Sequence, residues 1–206
     1  MALISNGSTI FDNGSMSAGF GGSMTFIKKL TASSSATLSF VDGTDGVVLD
    51  DTYKEYVFTF KNIHPATNGV NFTFNLSTDG GSNYNVTKTT TAFRPFNYET
   101  YAGAELAYQT GSDLAQSTAY QNIAENLGNA NDENSGGEFM LYNPSSTVFV
   151  KHFISSVQMN HASAYPGSVN WKIAGYANTT SAINAIQFKM SSGNIDAGDI
   201  CLYGIA

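Results

Sequence analysis

Three histidines, His64, His152 and His161, are the chain's imidazoles, and each stands alone. None has a second histidine or cysteine at the short spacing that zinc ligation uses. His64 precedes Pro65, which holds it in extended backbone at a strand end, and His152 falls in an alternating strand pattern. Structural roles follow for both. Glycoside hydrolysis needs two carboxylates across a cleft. Glu99, Glu105, Asp113, Glu125, Asp132, Glu133 and Glu138 are available, but their spacing selects no pair. No G-x-S-x-G elbow marks a serine nucleophile. Asp42, Asp45, Asp50 and Asp51 crowd one stretch, and Asn129, Asn131, Asp132 and Glu133 another. Oxygen-rich loops can hold calcium. Neither stretch has the D-x-D-x-D-G spacing with a distal Glu, so both read as solvated turn acids. The expectation is a non-enzyme with no catalytic residue, metal or cofactor.

Tyrosine offers a different chemistry. Tyr98, Tyr101, Tyr108 and Tyr120 gather in the middle third among Asn, Gln and Asp. Exposed rings with such neighbours build sugar-stacking surfaces or subunit interfaces. With Asn131 and Asp132 of the following loop, they are the candidate binding or interface residues. Trp171 alternates within a strand and reads as core. Cys201, the single cysteine, sits in an apolar run and reads as a buried small hydrophobe. Ser77-Thr78-Asp79-Gly80-Gly81-Ser82-Asn83-Tyr84 resembles the S-x-D-x-G-x-T-W Asp-box of sialidase-like propellers, departing at Asn83 and Tyr84. A propeller repeats that device in every blade, and here it occurs once. The better expectation is a tight hairpin between Phe74 and Val86, held by the Asp79 side chain.

The elements that must carry these groups are strands. Tyr53 to Phe60 alternates, with Tyr56, Phe58 and Phe60 on one face. Asn71 to Ser77 alternates more strictly. Phe72, Phe74 and Leu76 point one way, and Asn71, Thr73, Asn75 and Ser77 form an expected wet face. Further strands are expected at 25–30, 36–40, 86–93, 138–142, 148–154, 169–176, 185–190 and 199–204. Asp-Gly, Asn-Gly and Ser-Gly-Asn turns separate them. Roughly ten short strands so punctuated read as a sandwich or barrel. Residues 102–127 read as a long loop with one helical turn, and 126–137 as a loop tip. The opening Gly/Ser/Asn-rich stretch reads as an extended arm. The predicted organisation is one all-β jelly-roll or β-sandwich domain over 25–206, an N-terminal arm over 1–24, and a long central loop region.

The 206 residues suffice for one such domain with its own core. Only 12% of the residues are charged and the net charge is −7, which argues against a nucleic-acid partner. No stretch approaches the roughly 20 apolar residues of a membrane span. The N-terminus lacks the basic start and apolar core of a signal peptide, so synthesis in a cytoplasm is expected.

Several stretches together carry a resemblance. They are Met1-Ala2-Leu3-Ile4-Ser5-Asn6-Gly7, Tyr53-Lys54-Glu55-Tyr56, and Phe60-Lys61-Asn62-Ile63-His64-Pro65-Ala66-Thr67. The Ser77–Tyr84 turn follows, and the ending Ser191-Ser192-Gly193-Asn194-Ile195-Asp196-Ala197-Gly198 closes in Leu202-Tyr203-Gly204. The chain resembles a family of virion structural proteins of tailed bacteriophages, especially those of marine bacteria and cyanobacteria, described as tail fibre or head decoration proteins. The resemblance spans nearly the whole chain and carries over no catalytic residue. It implies a place on the virion and partners among other virion proteins, either the major capsid protein or tail proteins. It also implies a homo-oligomer such as a trimer, with the arm adding a strand to a neighbour's sheet. The alternative expectation is a carbohydrate-binding module that meets host surface glycans. A depolymerase would call for a longer chain with β-helix repeats, which are not found.

Overall fold

The computed structural model describes residues 23–100, 103–162 and 166–206, together with the backbone of three short strands ahead of them. Those three, β1 (Leu3–Ser5), β2 (Ser8–Asp12) and β3 (Ser15–Met16), pair antiparallel with one another. Of the rest of the expected arm, Met24 opens β4 of the sandwich, and the residues between Met16 and Ser23 lie outside the described ones. Among the described residues there is no helix.

The remaining strands build a two-layer antiparallel sandwich, as the alternation and turns predict. They are β4 (Met24–Ser35), β5 (Leu38–Val41), β6 (Glu55–Pro65), β7 (Val70–Ser77), β8 (Lys88–Tyr98), β9 (Ala104–Tyr108), β10 (Gln121–Leu127), β11 (Ser135–Tyr142), β12 (Lys151–Asn160), β13 (Gly167–Ala177), β14 (Ala185–Met190) and β15 (Ile195–Ile205). One sheet has eight strands in the order β4-β15-β6-β11-β12-β13-β8-β9, and the other has four in the order β10-β7-β14-β5.

The inward residues of the two sheets meet in an aromatic core. Phe58, Phe139 and Phe153 of the large sheet face Phe74, Phe188 and Phe40, all fully buried. Ring centroids are 4.6 Å apart for Phe74–Phe139, 5.1 Å for Phe74–Phe153 and 5.2 Å for Phe40–Phe58. Tilted and edge-on contacts of this kind add about 0.5–1.5 kcal/mol each beyond burial. Trp171 and Cys201 are both buried, as expected.

Three local expectations are corrected. The polar side of β7 is not wet: Thr73, Asn75 and Ser77 are all buried. Asn75 explains why, because its Nδ2 donates to the carbonyls of Tyr84 and Thr118, so loop segments lie over this face. Its Oδ1 accepts from Lys88 Nζ at 2.5 Å, and that fully buried lysine also donates to the Val86 carbonyl.

The stretch 102–127 is not a loop with a helical turn. It contains β9 and β10, and the chain between them is strapped to the sandwich edge. Lys88 and Ser117 exchange backbone hydrogen bonds at 2.8 and 3.0 Å. Thr90 Oγ1 donates to Gln121 Oε1, while Gln121 Nε2 donates to the Ser112 carbonyl. Ala, Leu, Glu and Gln favour a helix, but these long-range bonds outweigh a propensity worth a few tenths of a kcal/mol per residue.

The Ser77–Tyr84 turn, finally, is not a hairpin, since β7 belongs to the small sheet and β8 to the large one. Asp79 does hold it as expected: Oδ1 accepts from Asn83 N and from Ser77 Oγ, and Oδ2 accepts from Asn83 Nδ2. The turn is a crossover between layers.

Candidate interaction surface

The large sheet has a second face, turned away from the core. Alternation places Glu55, Val57 and Thr59 of β6 there, with Glu138, Met140 and Tyr142 of β11. His152, Ile154, Ser156 and Gln158 of β12 join them, beside Asn170, Lys172, Ala174 and Tyr176 of β13.

The strand registers align these residues in rows. One row runs Phe26, Tyr203, Val57, Met140, Ile154, Ala174, Thr91 across seven neighbouring strands. Six of the seven are apolar or aromatic. Phe26 is 56% exposed and Ile154 48%, and Phe26 meets Tyr203 edge-on at 5.7 Å. Val57 is buried within the row although it faces outward. On one side of the row, Tyr142, His152 and Tyr176 line a depression of about 490 Å³ together with Ile154, Ala174 and Thr91. On the other side the next row, Phe93, Lys172, Ser156, Glu138, Thr59, Cys201, Lys29, is polar at its centre and at Lys29, with Phe93 exposed and Cys201 buried. Lys172 Nζ donates to Ser156 Oγ at 2.6 Å, and neither Lys172 nor Glu138 has an ion-pair partner among the described residues.

The residues singled out in the sequence scatter around this face. Tyr108 lies on β9 at the sheet's edge, where its neighbour Phe93 is also exposed. Its hydroxyl donates to Asp113 Oδ2 at 2.6 Å, which raises its pKa above the ordinary value. Asp132 reaches the far end of the same face. It lines a polar depression of about 410 Å³ with Asn134, Gly136, Gln158 and Asn160, and its carbonyl accepts from Asn160 Nδ2. Asn131 is exposed in the same loop.

Tyr98 packs against the core instead, its ring 4.3 Å from that of Phe96. Tyr120 lies on the opposite sheet. Its hydroxyl donates to Gln187 Oε1 at 2.5 Å, Lys189 Nζ stands 4.2 Å from its ring centre, and burial raises its pKa. Tyr101 lies outside the described residues. The four tyrosines therefore do not form one patch.

No family model, curated protein or solved structure matches the chain.

The acid-rich stretches act as turn acids: Asp42 Oδ1 accepts from Leu49 N and Asp50 Oδ1 from Thr52 N. Among the described residues no three His, Cys, Asp or Glu side chains gather where a metal ion could be held, and no helix is long and apolar enough to cross a membrane. His64 stands 3.5 Å from Asp196, and the His161 ring lies tilted against Phe96 at 5.3 Å, its pKa lowered first by burial. The outer face carries an apolar band flanked by aromatic and polar groups.

The sequence reading missed Tyr142, His152, Ile154 and Tyr176. A signal was present: β12 and β13 carry apolar or aromatic residues at both parities, which a strand with one wet face does not require.

Proposed function

We propose that the chain is a non-enzymatic structural protein of a tailed-bacteriophage virion, placed on the particle surface as a head decoration protein or a tail-associated fibre protein. The observation that carries this reading is the apolar row on the outward face of the eight-stranded sheet. A row with Phe26 and Ile154 about half exposed costs solubility unless something covers it. Burying Ile154 and Phe26 against a neighbour would contribute roughly 25 cal/mol per Å² of apolar surface removed from water. The low charge of the chain, 12% of residues, leaves the rest of the surface to Gly, Ser, Thr and Asn. Such a surface hydrogen-bonds to neighbours without the desolvation cost of buried ions. The sequence resemblance supplies the setting.

The depression lined by Tyr142, His152 and Tyr176 favours one second reading, a glycan-binding module, because aromatic rings stack on sugar faces.

Quantitative mass spectrometry of gradient-purified phage particles tests the proposal. Many copies, in a fixed ratio to the major capsid protein, place the chain on the head. A few copies per particle place it on the tail. Absence from intact particles refutes the virion reading, and glycan-array binding in that case would support the second.

A further inference from the structure

The virion reading takes the outer face to be an assembly surface without saying what covers it. We infer that its occupant is a second copy of this chain, docked face to face across a two-fold axis that runs along β12. The inference rests on that reading and adds the partner.

A two-fold axis along a strand exchanges the strands on its two sides and leaves each cross-strand row at its own level, so every residue meets the partner of its mirror position. With the axis over β12, residues of β11 in one copy face residues of β13 in the other. The registers then fix the pairs. Glu138, Ser156 and Lys172 form one row, so each copy's Glu138 meets the second copy's Lys172. Met140, Ile154 and Ala174 form the next, so the long Met140 meets the small Ala174 and Ile154 meets its own symmetry mate. Tyr142, His152 and Tyr176 come next along the face, so Tyr142 meets the second copy's Tyr176 and His152 meets its own symmetry mate.

Charge decides for a second copy over an unrelated protein. Within one chain, Glu138 and Lys172 sit in the same row on either side of β12, yet no ion pair joins them. Lys172 rests on the Ser156 hydroxyl between them. A copy turned about β12 supplies the missing counter-charge to both, twice per dimer. Size complementarity falls on the same axis. Sheet twist sets stacked strands about 30° apart, which inclines the axis by about 15° to β12 and displaces pairs near the edges but little at its centre. Five strands (β6, β11, β12, β13 and β8) at about 4.8 Å spacing, over six residues of length, cover roughly 500 Å² per copy, the size of a weak, transient interface. The expected dimer is accordingly reversible.

Sedimentation velocity of the full chain over a wide concentration range tests this, beside Glu138→Lys, Lys172→Glu and the double variant. Each single variant sets like charges against each other and should weaken dimerisation roughly tenfold, while the double variant should restore it. Circular dichroism and thermal melting of each variant separate dissociation from misfolding. As an independent readout, Ile154→Cys should give a disulfide-linked dimer on mild oxidation, and Thr31→Cys, near the sheet's edge, should not. A monomer at every concentration, a trimer, or single-variant losses that add in the double variant would overturn the inference. A monomer whose outer face is covered by another virion protein on the particle overturns the inference and leaves the assembly reading standing. A face bare both in solution and on the particle removes both.

Discussion

Lys88 is the strongest internal test of how this fold is held. Its side chain is fully buried at the edge of the sandwich, with Asn75 Oδ1 and the Val86 carbonyl as acceptors. No carboxylate among the described residues pairs with it. Burial alone pushes its pKa down from 10.5 to about 7. The unfolded chain holds that proton up to its ordinary value, while the folded chain releases it near pH 7. Between those values the unfolded state binds more protons, so stability rises with pH. One pH unit of full proton difference corresponds to about 1.4 kcal/mol. From pH 7 to pH 9.5 the gain is then roughly 3 kcal/mol, allowing for partial protonation at the lower limit. Lys151, whose pKa burial also lowers, contributes in the same direction. Its part cancels when wild type is compared with Lys88→Met. Urea unfolding of both proteins at pH 7, 8, 9 and 9.5 is the assay. The wild-type stability should climb relative to the variant by about 3 kcal/mol across the window. Parallel pH profiles would refute the assignment, because they would mean that Lys88 keeps its proton inside the fold or reaches water.

Two further predictions concern the core and the interlayer turn. Phe188→Ala removes a ring that meets Phe40, Phe58, Phe60, Phe72 and Phe139, and should cost about 3–5 kcal/mol in urea unfolding at pH 7. A cost below about 1 kcal/mol would place the two sheets further apart than described. Asp79→Ala removes the acceptor that gathers Ser77 and Asn83, hydrogen bonds that hold the Asp79 carboxyl down at about 2. The domain should still fold, with faster limited proteolysis inside residues 77–84. An unchanged cleavage pattern would show that the backbone holds this crossover without Asp79.

The strands were legible in the sequence wherever a period of two met turn residues. β14 runs over Ala185–Met190 as predicted, and the Tyr56, Phe58 and Phe60 face of β6 turns inward. Alternation tells which residues share a face, but not what lies over it. Asn75 therefore looked wet, although Tyr84 and Thr118 cover it from distant positions. The tyrosines failed for a related reason. Tyr98 and Tyr108 go to the large sheet, whereas Tyr120 stands over the small one beside Gln187, so neighbours in sequence are distributed over two layers. The outer row was illegible because it joins seven strands whose order is set by tertiary pairing, from Phe26 on β4 to Thr91 on β8. Asp132 lines a depression with Gly136 and Gln158, which its place in the sequence did not indicate.

The proposed assembly role of the outward face of the eight-stranded sheet is open to cryo-electron microscopy of intact particles at a resolution that shows side chains. The chain should then be found on the particle with Ile154, Met140 and Tyr176 buried against a neighbouring subunit. Particle density in which these three side chains face open solvent, with contacts made elsewhere on the domain, would contradict it.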